Sequence, residues 1–449
     1  MKQTVLKHAN THVPRYTSYP PATAFSTAVG HTEYGAWLGE LPQNEPVSLY
    51  LHVPYCRQVC WYCACNMKLV RREQPLLDYA GALLQELDLL AATLPSRMRV
   101  SAIHWGGGTP TSLTDETLAA ITARIAQLFT IAPDAEVSFE IDPRTFDPER
   151  AATLRQLGAT RVSLGVQEFD AAVQAAVNRI QPFEQVRSVV DALRGAEIDG
   201  INFDLMYGLP RQTEATLAST IEQTVRLQPS RIALFGYAHV PWMAKRQTQI
   251  DPETLPSLEQ RFDQAETAAN ALVNSGYRRI GLDHFALPQD ALSTALDDGS
   301  IRRTFQGYSA GGPRTILGLG SSSISTLPQG YVQNVAETGA WSRDIQSGRL
   351  PVHRGYALTA NDRLRADVIE TLMCHMAVDI GDIAQRHGFA ASALDEEIRA
   401  CTAYTESGLA VLEGRRLTVP EQARPALRVL AAVFDAHFQL VEKRHAVAV

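Results

Sequence analysis

From residue 47 to about residue 285, short β-branched or aromatic runs alternate with helical stretches, and few folds accommodate that order. Strand patterns read at Val47–Val53, Val100–Trp105, Glu136–Ile141, Arg161–Gln167, Ile201–Tyr207, Arg231–Tyr237 and Tyr277–Leu282. Between them, apolar residues recur at three- and four-residue spacing near 76–94, 115–129, 147–157, 184–197, 212–227 and 256–275. Repeated βα steps imply a parallel sheet with right-handed crossovers. Six or seven units of this kind suit an α/β barrel, complete or incomplete, better than an open doubly wound sheet. No GxGxxG follows the first strand, so a dinucleotide-binding fold loses its main support. In parallel α/β architectures the active site lies at the C-terminal ends of the strands.

The first strand runs into Pro54 and then into four of the six cysteines, Cys56, Cys60, Cys63 and Cys65. Their gaps shorten from three residues to two to one. Structural zinc usually takes its ligands as two well-separated pairs, whereas Cys374 and Cys401 stand alone far downstream. Three thiolates on one short loop suit three corners of an iron–sulfur cube and leave one iron open to another ligand. A zinc module using all four cysteines is the competing reading, but the one-residue gap before Cys65 makes a tetrahedral site awkward. Closely spaced thiols, in a chain whose segment Met1 to Pro14 shows no apolar leader, point to a reducing, cytoplasmic setting.

No run approaches the roughly 18 apolar residues of a membrane span. A net charge of -7 argues against a general nucleic-acid partner, which requires a basic face. The local basic run Lys68, Arg71 and Arg72 reads either as a solvated loop surface or as a landing site for carboxylates. After Leu358 to Asp362 the pattern turns helical, and Gly408 to Val419 reads as a hairpin turning at Glu413-Gly414. Helix, helix, hairpin, helix is a winged-helix-like order, whose expected role here is a lid or substrate wall at the barrel mouth.

Several polar residues map to predicted strand ends. Tyr50, six residues before Cys56, is either core packing or a hydroxyl that reaches a ligand. Gly106, Gly107 and Gly108 precede Thr109-Pro110 and leave room for backbone to approach a ligand closely. Glu140 and Asp142 are two residues apart and share one face of a strand. Gln167, Arg179 and Asp204 extend this into a polar ring, while His104, His239 and His284 read as structural.

The loop Cys56-x-x-x-Cys60-x-x-Cys63, with Tyr62 before the third cysteine, resembles the CxxxCxxC signature of the radical S-adenosylmethionine (radical SAM) superfamily. The run Gly106 to Pro110 resembles that superfamily's motif for the methionine part of the cofactor. Within it, the chain is similar to the oxygen-independent coproporphyrinogen III oxidase family along nearly its whole length. The marks are Pro14 to Pro20, Cys65, Gly208-Leu209-Pro210, Tyr237-Ala238-His239, Asp283-His284-Phe285 and Phe305 to Tyr308. The resemblance implies an incomplete parallel (β/α) barrel of the radical SAM type over 47–285, preceded by an N-terminal arm over 1–46. A barrel extension and connection over 286–357 and a mostly helical C-terminal domain over 358–449 would follow.

It implies a [4Fe-4S] cluster on Cys56, Cys60 and Cys63, with one S-adenosylmethionine near Tyr50, Gly107, Glu140 and Ile324. A second S-adenosylmethionine is implied near Tyr62, Gly108, Thr109, Gln167, Arg179, Asp204 and Ala238. Cys65 matters for activity in this family without binding the cluster. The implied reaction turns two propionates of coproporphyrinogen III into vinyl groups, giving protoporphyrinogen IX, with electrons from an unidentified reducing donor. Arg15, Lys68, Arg71 and Arg72 are candidates for meeting the substrate's carboxylates. A monomer is expected, without membrane span or nucleic-acid partner. The alternative is a related haem-trafficking protein, whose members typically lack the arm and the fourth cysteine.

Overall fold

A computed structural model describes residues 2–9 and 11–438, so residues 1 and 10 of the expected arm and 439–449 of the expected C-terminal domain lie outside the described residues. Six strands run parallel, side by side and in chain order: β1 (Val47–Val53), β2 (Arg99–Gly107), β3 (Thr130–Ile141), β4 (Arg161–Gln167), β5 (Gly200–Tyr207) and β6 (Arg231–Gly236). Helices Gln74–Thr93, Asp115–Leu128, Phe183–Gly195 and Glu214–Leu227 supply crossovers where the apolar spacing predicts them. The pattern near 147–157 becomes a 3₁₀ turn, Pro148–Arg150, followed by a short helix, Ala151–Gln156.

The seventh predicted strand, Tyr277–Leu282, does not continue the parallel series. Instead β7 (Arg278–Ile280) and β8 (His284–Ala286) form a hairpin, and β8 runs antiparallel to β6. The three residues between them turn through Gly281, whose φ is 51°. A parallel return would need a crossover of about a dozen residues or more. The remaining parallel strand comes from far down the chain: β9 (Ile316–Leu319) pairs with the opposite side of β1, Ser48 against Ile316. Antiparallel β10 (Ile324–Leu327), β11 (Gly330–Asn334) and β12 (Val352–Ala357) extend that side. The order is thus β12-β11-β10-β9-β1-β2-β3-β4-β5-β6-β8-β7, an incomplete barrel whose end strands do not pair.

Period-two alternation divides the strands into an apolar and a polar face. Leu49, Leu51, Trp105, Phe139, Leu164, Phe203 and Leu205 are almost wholly buried in the main core, packed with the helices. The intervening positions on neighbouring strands line up as Tyr50, His104 and Ser138, and as Glu140, Ser163 and Asn202. A sheet this polar on one face is built to surround something other than its own side chains.

A second core joins the two ends of the chain. Val5, Val13, Tyr16 and Tyr19 of the arm pack with Leu364, Val368, Leu372, Leu427 and Phe434. The C-terminal region consists of the helix Ala360–His375, shorter helices and a small sheet. Its hairpin, Val411–Glu413 with Arg416–Thr418, turns at Gly414, φ 63°, at the predicted place. Cys374 and Cys401 are buried in apolar surroundings away from the cysteine loop. Among the described residues, no helix is long and apolar enough to cross a membrane.

At the N-terminal end of the strands, Asp290 binds Arg231 at 2.6 Å and Arg161 at 3.3 Å, all largely buried. Burial alone would raise its pKa, but Arg231 and Arg161 hold it below the usual carboxylate range. Asp290→Ala leaves the buried guanidinium of Arg231 without its carboxylate and Arg161 with Glu136 alone, and urea unfolding should show a loss of about 3 kcal/mol. Because the carboxylate pKa is depressed in the fold, this contribution is present above the ordinary Asp pKa and disappears as pH falls below about 4. The measured deficit should shrink in that window.

Candidate active site

The cysteine loop leaves the C-terminal end of β1 and is pinned to its neighbours by hydrogen bonds. Trp61 donates its backbone N–H to Val177 O at 3.0 Å, and Asn178 Nδ2 donates to Val59 O at 2.8 Å. Gln247 Nε2 donates to Tyr62 O at 2.7 Å, tying the loop to the segment after β6. The loop is therefore held at three strand ends, those of β1, β4 and β6. It bounds a cavity of about 780 Å³ into which Cys56, Cys60, Cys63 and Cys65 all project.

Glycine makes the other wall. A Cβ on Gly108 would lie 2.7 Å from Tyr55 O and 2.8 Å from Tyr55 N, so β2 and the start of the cysteine loop touch backbone to backbone. Gly107 adopts φ 111° and donates its N–H to Glu140 Oε2 at 3.0 Å. The other oxygen of Glu140 lies 3.1 Å from His104 Nε2, and His104 Nδ1 meets Ser138 Oγ at 2.6 Å. Tyr50 stacks on His104 and pairs through its hydroxyl with His52 Nδ1 at 2.9 Å. Glu140 is thus fixed in position from behind, facing the cavity.

Two arginines flank Cys60. Arg144 Nη2 and Arg179 Nη1 each donate to Cys60 Sγ at 3.1 Å, and Asp142 holds both, at 2.6 Å and 3.2 Å. Burial would raise the Asp142 pKa, but Arg179 and Arg144 hold it below the usual range. A hydrogen bond from Cys65 lowers Cys63 to about 6, and Arg246 and Arg179 act in the same sense. Burial pushes Cys56 up to about 12, although Thr109 Oγ1 donates to its sulfur at 3.5 Å. Across the cavity Asp204 accepts from Ser163 Oγ at 2.8 Å and Asn202 Nδ2 at 3.0 Å, and burial raises it to about 6.

Tyr62, Gly107, Gly108, Thr109, Glu140, Gln167, Arg179 and Asp204 line this cavity together with the four cysteines. Tyr50 stands one row behind, against His104. Ala238 and Ile324 do not line it. The Ala238 carbonyl accepts from Gln247 at 3.1 Å, so one side chain links it to the cysteine loop. Ile324 begins β10, beside Gly318. Lys68 turns outward to Glu337 and Thr338, and Arg71 and Arg72 are exposed on the surface. Arg144, His52, Ser163 and Asn202 join the site without having been singled out. The signal for Arg144 was available in the Asp142-x-Arg144 spacing at a strand end. His104, expected to be structural, binds Glu140 directly.

A family model described as the Radical SAM superfamily matches residues 50–224, and one described as the HemN C-terminal domain matches residues 358–426. An oxygen-independent coproporphyrinogen III oxidase of Bradyrhizobium diazoefficiens is 46% identical over 444 residues, covering 99% of both chains. One from Cereibacter sphaeroides is 42% identical over 425 residues, covering 95% of this chain and 94% of the relative. The solved structure of coproporphyrinogen III oxidase (HemN) from Escherichia coli, described as a Radical SAM enzyme, superposes with a TM-score of 0.91. It is 34% identical, and the match covers 94% of this chain and 98% of that one.

Gly108→Ala pushes a methyl into the Tyr55 backbone and so displaces the cysteine loop. Iron bound per chain after anaerobic reconstitution should fall severalfold while far-ultraviolet circular dichroism stays unchanged.

Proposed function

Because the chain belongs to the oxygen-independent coproporphyrinogen III oxidase family of the radical SAM superfamily, we propose that it converts two propionates of coproporphyrinogen III into vinyl groups. The protein is an oxidoreductase of porphyrin synthesis, and its product is protoporphyrinogen IX. The observation that carries this reading is the convergence of Cys56, Cys60 and Cys63 on one cavity beside a glycine-built wall, in a chain matched end to end by these oxidases.

A [4Fe-4S] cluster with S-adenosylmethionine, bound in this cavity, would supply the radical chemistry that activates a substrate propionate. Cys56, Cys60 and Cys63 would hold the cluster. Among the described residues no three His, Cys, Asp or Glu side chains converge on a single ion, and a cluster that takes one thiolate per iron does not require them to. Arg144 and Arg179 donate to the sulfur of Cys60 and fix its position at the cavity. Glu140, fixed by His104 and the Gly107 amide, presents a carboxylate to an ammonium group, with Tyr50 supporting His104. Ile324 is assigned to the same cofactor molecule by family pattern alone.

The opposite charges of Arg179 and Asp204 suit the zwitterionic end of a second S-adenosylmethionine. Tyr62, Gly108, Thr109, Gln167 and Ala238 complete its proposed surroundings. Cys65 lies next to Cys63 in the cavity and is left free to act as a catalytic thiol. The arm and the C-terminal region pack together on one core, and a lid over the barrel mouth, the role expected of the C-terminal region, would supply the water exclusion that radical chemistry requires. We place the enzyme in the cytoplasm as a monomer, since close unpaired thiols need a reducing setting and one chain assembles the whole site. Its electrons come from a reducing donor whose identity is open.

The test is an anaerobic assay with reductant, S-adenosylmethionine and coproporphyrinogen III, following the fluorescence of the oxidised porphyrin product. Vinyl products are expected. Cleavage of S-adenosylmethionine without decarboxylation would turn the reading to haem trafficking. Cys60→Ser should lose the iron, whereas Cys65→Ser should keep it and lose turnover. Equal iron loss in both, or zinc in place of iron in the wild type, would sink the ligand assignment.

A further inference from the structure

One buried carboxylate takes no part in the chemistry described so far. Glu86 lies on the crossover helix Gln74–Thr93, 2% exposed, on a face otherwise made of Leu76, Leu83, Leu87 and Leu90. A carboxylate in such surroundings is costly unless donors meet it. Its donors come from far along the chain. Gly320 N–H donates to Glu86 Oε2 at 2.6 Å, and Asn334 Nδ2 donates to Oε1 at 2.6 Å. Asn334 Nδ2 also donates to Gly320 O at 2.9 Å, so the two side chains hold Gly320 by its N–H and by its carbonyl. Two helical turns earlier on the same face, Tyr79 donates its hydroxyl to His52 O at 2.6 Å and accepts from Ser321 N–H at 2.9 Å.

The turn held in this way, Gly320 to Ser323, follows β9 at the same end of the sheet as the cysteine loop. It lies hard against β1: a Cβ on Gly320 would sit 2.4 Å from His52 O and 2.5 Å from the Tyr79 hydroxyl. Ser322 takes φ 63°, a left-handed conformation uncommon for a residue with a side chain, and its Oγ lies 3.5 Å from His52 Nε2. His52 is a wedge between three parts of the site. Its Nδ1 meets the Tyr50 hydroxyl at 2.9 Å, and its Nε2 lies 3.3 Å from Asn66 O at the end of the cysteine loop. Its ring would lie 2.7 Å from a Cβ on Gly107, whose N–H holds Glu140. A shift of the turn therefore passes through His52 to the carboxylate that faces the cavity.

We propose that Glu86, aided by Tyr79, is a positioning residue that acts through the Gly320–Ser323 turn and His52 to set Glu140 for the S-adenosylmethionine at the cluster. The proposal rests on the functional reading above, and Ile324, assigned to the same cofactor molecule, is the next residue after the turn. Other parts of the site have their own supports. Asp142, Arg144 and Arg179 fix Cys60, and Ser163 and Asn202 fix Asp204. Loss of the Glu86 contacts therefore falls on one cofactor and spares the iron and the tetrapyrrole.

The test compares Glu86→Gln and Tyr79→Phe with wild-type holoenzyme under anaerobic conditions. The amide is isosteric with the carboxylate but turns an NH₂ toward one of the two donors, so one hydrogen bond to a charged group is lost. The Kd for S-adenosylmethionine is read from the electron paramagnetic resonance of the reduced cluster, which responds to a ligand on the open iron. Glu86→Gln should raise this Kd, and the KM for S-adenosylmethionine, by about tenfold or more. Its kcat at saturation, iron content and coproporphyrin III binding should stay near wild type. Tyr79→Phe, which loses neutral hydrogen bonds, should raise both constants by about threefold. Acidity supplies a further readout, because burial raises Glu86 to about 7 against the pull of the Gly320 and Asn334 donors. Protonation removes an acceptor, so below that pH wild-type affinity should decline toward that of Glu86→Gln, whose own profile lacks the step. The titratable groups facing Glu86 are Tyr79 on its own helix and Tyr34 on the helix His31–Gly39, and burial raises both out of this window.

Wild-type Kd and KM in both variants overturn the positioning role and leave the oxidase reading intact. So does a loss of iron or of coproporphyrin binding as large as the loss of S-adenosylmethionine, which marks a general loosening of the fold. A fall in kcat with KM unchanged overturns it as well. Tyr79→Phe decides the matter alone if Glu86→Gln fails to fold. A wild type that binds S-adenosylmethionine yet decarboxylates no coproporphyrinogen III overturns the oxidase reading instead.

Discussion

Asp142 holds two guanidinium groups at once, and through them it holds the cysteine loop. Arg144 lies two residues on, just past β3, and Arg179 comes from the segment beyond β4, yet both reach Cys60 Sγ at 3.1 Å. Hydrogen bonds to charged groups contribute about 1.5–3 kcal/mol each in mutational studies. Removing the shared carboxylate would do more than delete two of them, because it would strand two buried cations beside a thiol. The network explains why a loop rich in thiols and short of regular structure holds one shape. It also brings two positive charges to the Cys60 sulfur.

Around this fixed point the sheet divides the work by alternation. One face of each strand packs into the main core, and the other carries Tyr50, His104, Glu140, Ser163, Asn202 and Asp204 toward the open side. Most of these polar groups bond to one another. Glu140 and Asp204, the two that face the cavity with ionisable oxygens, are each supported by two neighbours. Rigidity of that kind is what placing a reactive intermediate demands, since small displacements redirect it.

The six parallel strands and their helices were legible in the sequence because apolar spacing is a local signal that tertiary packing here reinforces. The cavity lining was legible for a similar reason, as strand ends can be read off once the strands are known. What escaped was long-range. Nothing local in Ile316–Leu319 announces that it pairs with Val47–Val53, and the hairpin at Gly281 was misread because Tyr277–Leu282 has the composition of any strand. Glu86 and Asn334 lie 248 positions apart and meet only through the fold. The basic run Lys68, Arg71 and Arg72 was conspicuous in sequence yet faces solvent, since contiguity in a chain says little about where side chains point.

The pairing of β9 with β1 has a consequence for the order in which the molecule matures. The strand carrying the cysteine loop keeps one edge bare until residues 316–319 have been made, some 268 positions after Ser48 meets its partner Ile316 in register. The second core closes later still, for the arm's Tyr16 and Tyr19 pack against Leu427 and Phe434 near the end of the chain. During synthesis, then, the thiols emerge long before the strand that completes their edge of the sheet, and before the core that joins the arm to the C-terminal region.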